Sequence, residues 1–238
     1  MTRALFRFAL AALLLITSAV ASRAADKPAD ASADKSTSKP HPFEKDIEAF
    51  EAADKKSPPP QGAVLFIGSS SIRMWKTLAA DFPDQKVINR GFGGSELADS
   101  VYFADRIVIP YKPRLIVLFA GTNDINAGKA PQTVFADFKA FVARVRADLP
   151  NTRIAYLSIS PAPIRWSQAD KQKEANRRIK DYIATGTNLD YIDLWDQFLG
   201  PDGKPREDLF LPDRLHNNAA GYKIRAAAVR PHLESAGQ

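Results

Sequence analysis

Three serines follow a glycine directly at residues 68–71, at the end of the apolar run of residues 64–67. A short continuous apolar run of this kind predicts a strand that is buried on both faces of a parallel sheet. The helical pattern that begins after the serines would expose unpaired backbone N–H groups beside them. A serine hydroxyl at the carboxyl edge of a sheet, next to the positive end of a helix, is well placed to act as a nucleophile.

A serine nucleophile needs a general base, and the chain has only three histidines. His41 falls in a segment without periodicity and His232 near the chain end, whereas His216 lies in a loop before the last predicted helix. Asp213 precedes His216 by three residues, a spacing that puts both side chains on one side of a single turn. The carboxylate can then orient the imidazole toward a serine, as the acid of a catalytic triad does. The alternative is a helix N-terminus in which Asp213 or Asn217 caps the helix and His216 is a surface residue.

Two further loops offer hydrogen-bond donors for the oxyanion that forms when a serine attacks an ester carbonyl. Gly94 lies in a glycine cluster after the predicted strand at 86–89, so no side chain screens its backbone N–H. Asn123 follows the predicted strand at 115–119 and offers an amide N–H. Each such donor contributes roughly 3 kcal/mol to acyl transfer. Turn geometry at the glycines and an Asx turn at Asn123 are the alternative explanations.

Strand and helix patterns alternate along the chain. The predicted strands are residues 64–67, 86–89, 115–119, 154–158 and 191–194, and the predicted helices are residues 71–81, 96–109, 133–148, 167–184 and 218–233. Five strands, each followed by a helix, predict an α/β fold in which a five-stranded parallel sheet carries helices on both faces. Ligands bind at the carboxyl ends of the strands in such sheets, where we expect the four loops described above to meet.

The chain begins with a basic start, an apolar stretch and small residues, which is the pattern of a secretory signal peptide at residues 1–24. Residues 25–42 are rich in Ala, Asp, Lys, Ser and Pro and predict a flexible linker. Residues 43–238 form one predicted domain, which opens with a short amphipathic helix at 43–53. The apolar stretch is shorter than the roughly 20 residues that span a bilayer, so an uncleaved anchor is the weaker alternative. We therefore expect a periplasmic or secreted protein without a stable membrane anchor.

The composition argues against several classes of function. The sequence has no cysteine, which excludes a thiol nucleophile, disulfides and thiolate metal sites. With one candidate histidine, we expect no metal, and the glycine spacing fits neither a dinucleotide site nor a P-loop, so we expect no cofactor. The formal charge of +6 includes Arg3, Arg7 and Arg23 of the predicted signal peptide. No basic cluster with interleaved aromatic residues indicates nucleic acid as a partner.

Taken together, the four loops resemble those of the SGNH hydrolases, which are also called GDSL-type esterases and lipases. The matching segments, in the family's order and spacing, are Gly68-Ser69-Ser70-Ser71, Gly94, Gly121-Thr122-Asn123-Asp124 and Asp213-Arg214-Leu215-His216. The resemblance covers residues 64–233. It implies a flavodoxin-like three-layer α/β/α sandwich and the hydrolysis of carboxylic esters without a metal or cofactor.

The resemblance also implies a role for each matching residue. Ser70 would be the nucleophile, His216 the base and Asp213 the acid that orients it. The oxyanion donors would be the Ser70 N–H, the Gly94 N–H and the Asn123 amide.

The chain departs from the family pattern at one position beside the nucleophile. The family's first block usually reads Gly-Asp-Ser, whereas Ser69 takes the place of the aspartate here. That aspartate is not a triad member in the family pattern, so the same chemistry is still expected. Ser69 and Ser71 flank Ser70 and are alternative nucleophiles, and the register favours Ser70 because it is the second residue after the glycine.

The expected substrate is a small acyl ester of a carbohydrate or another small molecule. The alternatives are a lysophospholipase or thioesterase-like activity, acyl transfer to an alcohol at the same site, and a non-catalytic glycan-binding module. The aromatic residues that are candidates for a sugar or acyl pocket, with packing against the sheet as the alternative, are Trp75, Phe92, Trp166 and Trp195. Arg90 and Arg165 are candidates for contact with an anionic group. The sequence does not predict an oligomeric state.

Overall fold

A sheet of five parallel strands forms the centre of the fold in the computed structural model, which describes residues 39–234. The strands are β1 (Val64–Gly68), β2 (Val87–Gly91), β3 (Leu115–Phe119), β4 (Arg153–Leu157) and β5 (Leu189–Ile192). They lie in the order β2-β1-β3-β4-β5, and every neighbouring pair is parallel. The predicted five-stranded parallel sheet is confirmed. The predicted signal peptide and the predicted linker up to residue 38 lie outside the described residues.

Helices connect the strands. They are α1 (Glu44–Lys56), α2 (Ser70–Arg73), α3 (Leu78–Asp81), α4 (Leu97–Tyr102), α5 (Ala104–Ile107), α6 (Thr122–Asn126), α7 (Pro131–Asp148), α8 (Ala169–Thr185) and α9 (Ala219–Glu234). Short 3₁₀ turns occur at Ile109–Tyr111, Pro163–Gln168, Asp196–Phe198 and Glu207–Leu209. Within residues 39–234, no helix is both long and apolar enough to cross a bilayer.

Alternate residues of the central strands face two separate hydrophobic cores. Leu65 and Ile67 of β1 belong to the core that also contains residues of α1, α4, α5, α7 and α8. Val64 and Phe66 belong to the other core, with residues of α2, α3 and α9. Because β1 is buried along its whole length, its apolar residues run without alternation, as expected for a parallel sheet. This arrangement is the predicted three-layer α/β/α sandwich.

Two predicted helices are not continuous. Residues 71–81 form α2 and α3, and at the end of α2 the Ile72 carbonyl accepts both the Trp75 backbone N–H at 3.1 Å and the Asn89 side-chain N–H at 2.7 Å. Residues 96–109 are divided between α4, α5 and the start of a 3₁₀ turn. Pro110 has no N–H and disfavours helical backbone at the residue before it, so α5 cannot continue through this point.

The turn after β1 depends on a glycine. Gly68 has a φ of +139°, and a Cβ at this position would lie 1.9 Å from the backbone oxygen of Phe119 in β3. Ser69 donates its backbone N–H to the same oxygen at 3.2 Å. The close approach of β1 and β3 therefore requires glycine at residue 68, and it fixes the direction in which α2 leaves the sheet.

Candidate active site

Ser70 is the first residue of α2, directly above the carboxyl end of β1. Its Oγ lies 2.9 Å from Nε2 of His216, a residue 146 positions later in the chain. The Ser70 backbone N–H belongs to the first turn of the helix, where N–H groups have no acceptor within the helix. The structure thus brings the predicted nucleophile into hydrogen-bond contact with the predicted base.

Asp213 holds the other side of the imidazole. Its Oδ2 lies 2.7 Å from His216 Nδ1, and its Oδ1 accepts the backbone N–H groups of Leu215 and His216, both at 2.9 Å. Partial burial acts to raise the pKa of Asp213, but these hydrogen bonds outweigh it and lower the pKa to about 2. An ionised carboxylate only accepts hydrogen bonds, so Nδ1 carries the ring proton and Nε2 is left to accept one from Ser70.

A tight loop carries both of these residues. Phe210 and Asn217 form an antiparallel bridge, and Leu211 donates its backbone N–H to the His216 carbonyl at 2.7 Å. Between them, Arg214 has a φ of +57°, in the left-handed region. These contacts close residues 210–217 into a loop that presents Asp213 and His216 on the same side.

Arg225 of α9 fixes this loop to the loop after β4. Its Nε donates to Asn217 Oδ1 at 2.6 Å and its Nη2 to Ser160 Oγ at 2.9 Å. The guanidinium lies over the ring of Phe119 at 4.3 Å. Arg225 is 2% exposed, and burial lowers its pKa to about 10, so the side chain stays charged at neutral pH. Sequence reasoning missed this residue, because no local pattern distinguishes it from the exposed Arg230 of the same helix.

Asn123 lies in the first turn of α6. Gly121, which has a φ of +111°, is the residue directly before this helix. Its Nδ2 donates to the Ser95 carbonyl at 3.0 Å, and its Oδ1 accepts a hydrogen bond from Arg165 Nη1 at 3.0 Å. A guanidinium can only donate hydrogen bonds, so the Asn123 atom that faces Arg165 must be the amide oxygen. One N–H of Nδ2 therefore remains available to a ligand.

Gly94 lies in the turn after β2, one residue before Ser95, which Asn123 binds. It has a φ of +88°, is exposed, and would have no atom within 4 Å of an added Cβ. In the part of the chain that the structure describes, its N–H has no acceptor. Gly94 does not line the cavity beside Ser70, unlike Asn123.

A buried aspartate joins the loops after β2 and β3. Asp124 is fully buried and accepts the Leu97 backbone N–H at 3.1 Å, with Lys129 Nζ at 3.3 Å from the same oxygen. Burial raises the pKa of this carboxyl group. Asp124 therefore supports the positions of Ser95 and Asn123, and nothing in its surroundings gives it contact with a ligand.

Ser70 and His216 line a small cavity. The space available to the centre of a water-sized sphere is about 20 Å³, roughly enough for one water molecule. Its lining residues are Ser69, Ser70, Ser71, Phe119, Thr122, Asn123, Ser160, Ala162, Arg165, Phe210, Leu215, His216 and Arg225. Among residues 39–234, no group of three or more His, Asp or Glu side chains is arranged to hold a metal ion.

The four aromatic candidates for a ligand pocket differ in burial. Trp75 and Phe92 are 1% and 0% exposed, pack in the hydrophobic cores and do not line the cavity beside Ser70, so packing against the sheet is the explanation that fits both. Trp166 and Trp195 lie near each other, with ring centroids 6.3 Å apart, and neither lines the cavity.

The two candidate arginines also differ. Arg90 pairs with Asp54 at 2.5 Å and donates to the Tyr111 hydroxyl, away from the cavity, so contact with an anionic ligand is wrong for it. Arg165 lines the cavity and contacts Asn123.

Known structures share this fold. A GDSL-like lipase from Bacteroides thetaiotaomicron is 20% identical with a TM-score of 0.70, and the match covers 80% of this chain and 98% of that one. A mutant acetyl-xylooligosaccharide esterase from Geobacillus is 18% identical with a TM-score of 0.58, covering 75% and 96%. A carbohydrate esterase of family 3 from Talaromyces cellulolyticus is 19% identical with a TM-score of 0.57, covering 72% and 96%.

The sequence itself matches a family of known chemistry. No match was found among curated proteins. The sequence model of the GDSL-like lipase/acylhydrolase family, however, matches residues 67–224, which include the Ser70 turn and the loop of Asp213 and His216. This match extends over more than half of the chain. The protein therefore belongs to the GDSL-like lipase/acylhydrolase family and is a hydrolase of ester bonds.

Proposed function

We propose that the protein is an exported serine esterase that removes small acyl groups from carbohydrates or other small molecules, with Ser70, His216 and Asp213 as its triad. The observation that carries the catalytic part is the continuous chain of contacts from Asp213 through His216 to Ser70, at 2.7 and 2.9 Å, beside a cavity. Each contact has the length and the partner that nucleophilic catalysis by a serine requires.

The reaction proceeds through an acyl-enzyme. His216 Nε2 accepts the hydroxyl proton as Ser70 Oγ bonds to the ester carbonyl carbon. The Ser70 N–H and the free amide N–H of Asn123 donate to the oxyanion, and the Gly94 N–H is the third proposed donor. His216 then gives its proton to the departing alcohol. Water, deprotonated by the same nitrogen, releases the acid and restores Ser70.

The size of the cavity supports a small acyl group. A space of about 20 Å³ has room for about one methyl-sized group, which favours an acetyl ester over the long chain of a lysophospholipid. The fold is shared with an acetyl-xylooligosaccharide esterase and a carbohydrate esterase, which are acyl-carbohydrate enzymes by name. This likeness supports the same class of substrate here.

The triad is tested by comparing three neighbouring serines. Ser70→Ala, Ser69→Ala and Ser71→Ala are assayed with 4-nitrophenyl acetate and with a fluorophosphonate probe, whose adduct is located by mass spectrometry. We expect Ser70→Ala alone to lose turnover and labelling, whereas the flanking variants retain both. Undiminished turnover in Ser70→Ala, or an adduct on Ser69 or Ser71, would contradict the assignment.

Export rests on the pattern of residues 1–24, with its basic start and apolar stretch. When the full chain is expressed in a Gram-negative host, we expect the mature protein in the periplasmic fraction, with an N-terminus near residue 25. Uncleaved protein that is confined to the cytoplasm would contradict this part of the proposal.

A further inference from the structure

The cavity beside Ser70 is lined by two arginines and by no aspartate or glutamate. Arg165 donates one hydrogen bond from its side chain, to Asn123 Oδ1. Arg225 is bound by two neutral side-chain oxygens, of Asn217 and Ser160, and its Nη1 has no acceptor. In the described part of the chain, neither guanidinium has a carboxylate oxygen within 4.0 Å, whereas Arg90 is paired with Asp54.

Arg165 and Arg225 place two positive charges beside the same cavity, an arrangement that a bound anion would stabilise. Burial lowers the pKa of Arg165, and no neighbouring carboxylate opposes this effect. Desolvated guanidinium groups are normally paired, and their planar array of N–H groups suits a carboxylate well. Both arginines have N–H groups left over, on Arg165 after it binds Asn123 and on Nη1 of Arg225. Arg165 is half-buried, whereas Arg225 is 2% exposed and is held by Asn217 and Ser160. Arg165 is therefore the group that a ligand reaches more easily, and the buried guanidinium of Arg225 adds positive potential to the cavity.

We infer that Arg165 binds a carboxylate of the substrate, so that the preferred substrates are small acyl esters of carboxylate-bearing alcohols, such as O-acetylated sugar acids. The inference rests on the proposed esterase function. Arg165 Nη1 is 3.0 Å from the amide that we propose as an oxyanion donor, which places the carboxylate within a few ångströms of the ester carbonyl. A space of about 20 Å³ favours an acyl group no larger than acetyl, so we place the charge on the alcohol part of the substrate.

The test uses two esters that differ only in charge, 3-acetoxybenzoate and 3-acetoxybenzamide. They share the acetyl group and have leaving phenols of similar size. The quantity measured is the ratio of kcat/KM for the benzoate to kcat/KM for the benzamide. We expect the wild-type protein to favour the benzoate at least tenfold, and Arg165→Ala to bring the ratio close to one, mainly by raising KM for the benzoate. Arg165→Lys should retain an intermediate ratio, because it keeps the charge but not the paired N–H groups.

The ratio separates binding of the carboxylate from the contact between Arg165 and Asn123. Loss of that contact slows both esters alike and cancels in the ratio. Arg206→Ala is the control, because it removes an exposed positive charge that is paired with Asp208 and lies outside the cavity lining. We expect its ratio to equal that of the wild-type protein. Turnover of the benzamide by each variant also shows that it is folded.

Different results would contradict the esterase function and the carboxylate site. If the wild-type protein hydrolyses neither these esters nor 4-nitrophenyl acetate, the proposed function is wrong. If it hydrolyses both esters with a ratio near one, or if Arg165→Ala keeps the wild-type ratio, the carboxylate site is wrong and the esterase function stands.

Discussion

Asp213 is bonded to His216 twice, with one carboxylate oxygen on the ring Nδ1 and the other on the backbone N–H. Because both groups belong to one residue, the direction of the carboxylate and the rotation of the ring are fixed together. The bond from the Leu215 N–H completes this arrangement. Asp213 therefore fixes both the tautomer and the orientation of the His216 ring.

Asp213→Asn should lower kcat on 4-nitrophenyl acetate by about 10²- to 10⁴-fold with little change in KM. The amide can turn its NH₂ group toward Nδ1 and favour the tautomer in which Nε2 carries the proton and cannot accept one. Steady-state kinetics check the effect, and a thermal melt of the same sample shows whether the fold is retained. A folded variant with more than a third of the wild-type kcat would contradict the role of Asp213.

The pH dependence should show a single acid limb. In the proposed mechanism the His216 ring must be neutral to accept the Ser70 proton. The pKa of Asp213 is about 2, below its ordinary value, so its carboxylate stays ionised above about pH 4. Its stabilising contribution is complete above about pH 4 and is lost as the pH falls toward 2. We expect log kcat/KM for 4-nitrophenyl acetate to fall toward acid pH with a limiting slope of one; a limiting slope of two above about pH 4 would indicate that a second group of the site titrates there.

Acyl-chain length should decide turnover. Because the cavity provides about 20 Å³, we expect kcat/KM to fall at least tenfold from 4-nitrophenyl acetate to the butyrate, and further to the octanoate. Leu215→Ala removes a half-buried side chain of the lining and should raise the butyrate-to-acetate ratio. Faster turnover of the octanoate than of the acetate by the wild-type protein would contradict a small acyl site.

Replacement of Arg225 should destabilise the fold, because its side chain donates to two buried acceptors. Arg225→Met leaves Asn217 Oδ1 and Ser160 Oγ buried without a donor, at about 1–3 kcal/mol for each group. We expect urea denaturation to show a loss of about 2–4 kcal/mol in the free energy of unfolding. Arg230→Met, an exposed position on the same helix, is the control and should change it by less than about 1 kcal/mol. Equal stability of the two variants would show that Arg225 does not hold the loop.

Gly68, in the turn before Ser70, and Gly62 both have a positive φ. Alanine at each position therefore separates steric clash from backbone strain. Gly68→Ala puts a Cβ 1.9 Å from the Phe119 oxygen and should destabilise the fold by more than about 3 kcal/mol. Gly62 has a φ of +70° with no atom within 4 Å of an added Cβ, so Gly62→Ala should cost about 1–2 kcal/mol through backbone strain alone. Chemical denaturation of both variants measures the difference. Similar losses would contradict a steric requirement at Gly68.

The sheet could be predicted from the sequence because its central strands are continuous apolar runs, and the loops of the site followed from their places at the strand ends. What could not be predicted depends on partners far away in the chain. Asn89 binds the Ile72 carbonyl of α2 across 17 positions, and Arg225 binds Ser160 across 65. The aromatic side chains were equally ambiguous, since the sequence does not distinguish a ring that packs in the core, such as Trp75, from one that faces a ligand.

The bridge between Phe210 and Asn217 and the hydrogen bond from Arg225 to Asn217 attach the loop of Asp213 and His216 to α9. Asp213 and His216 are also hydrogen-bonded to each other within this loop, whereas Ser70 belongs to a different part of the chain. We therefore expect a substitution in α9 that displaces the loop to change the distance from His216 to Ser70 more than the distance from His216 to Asp213.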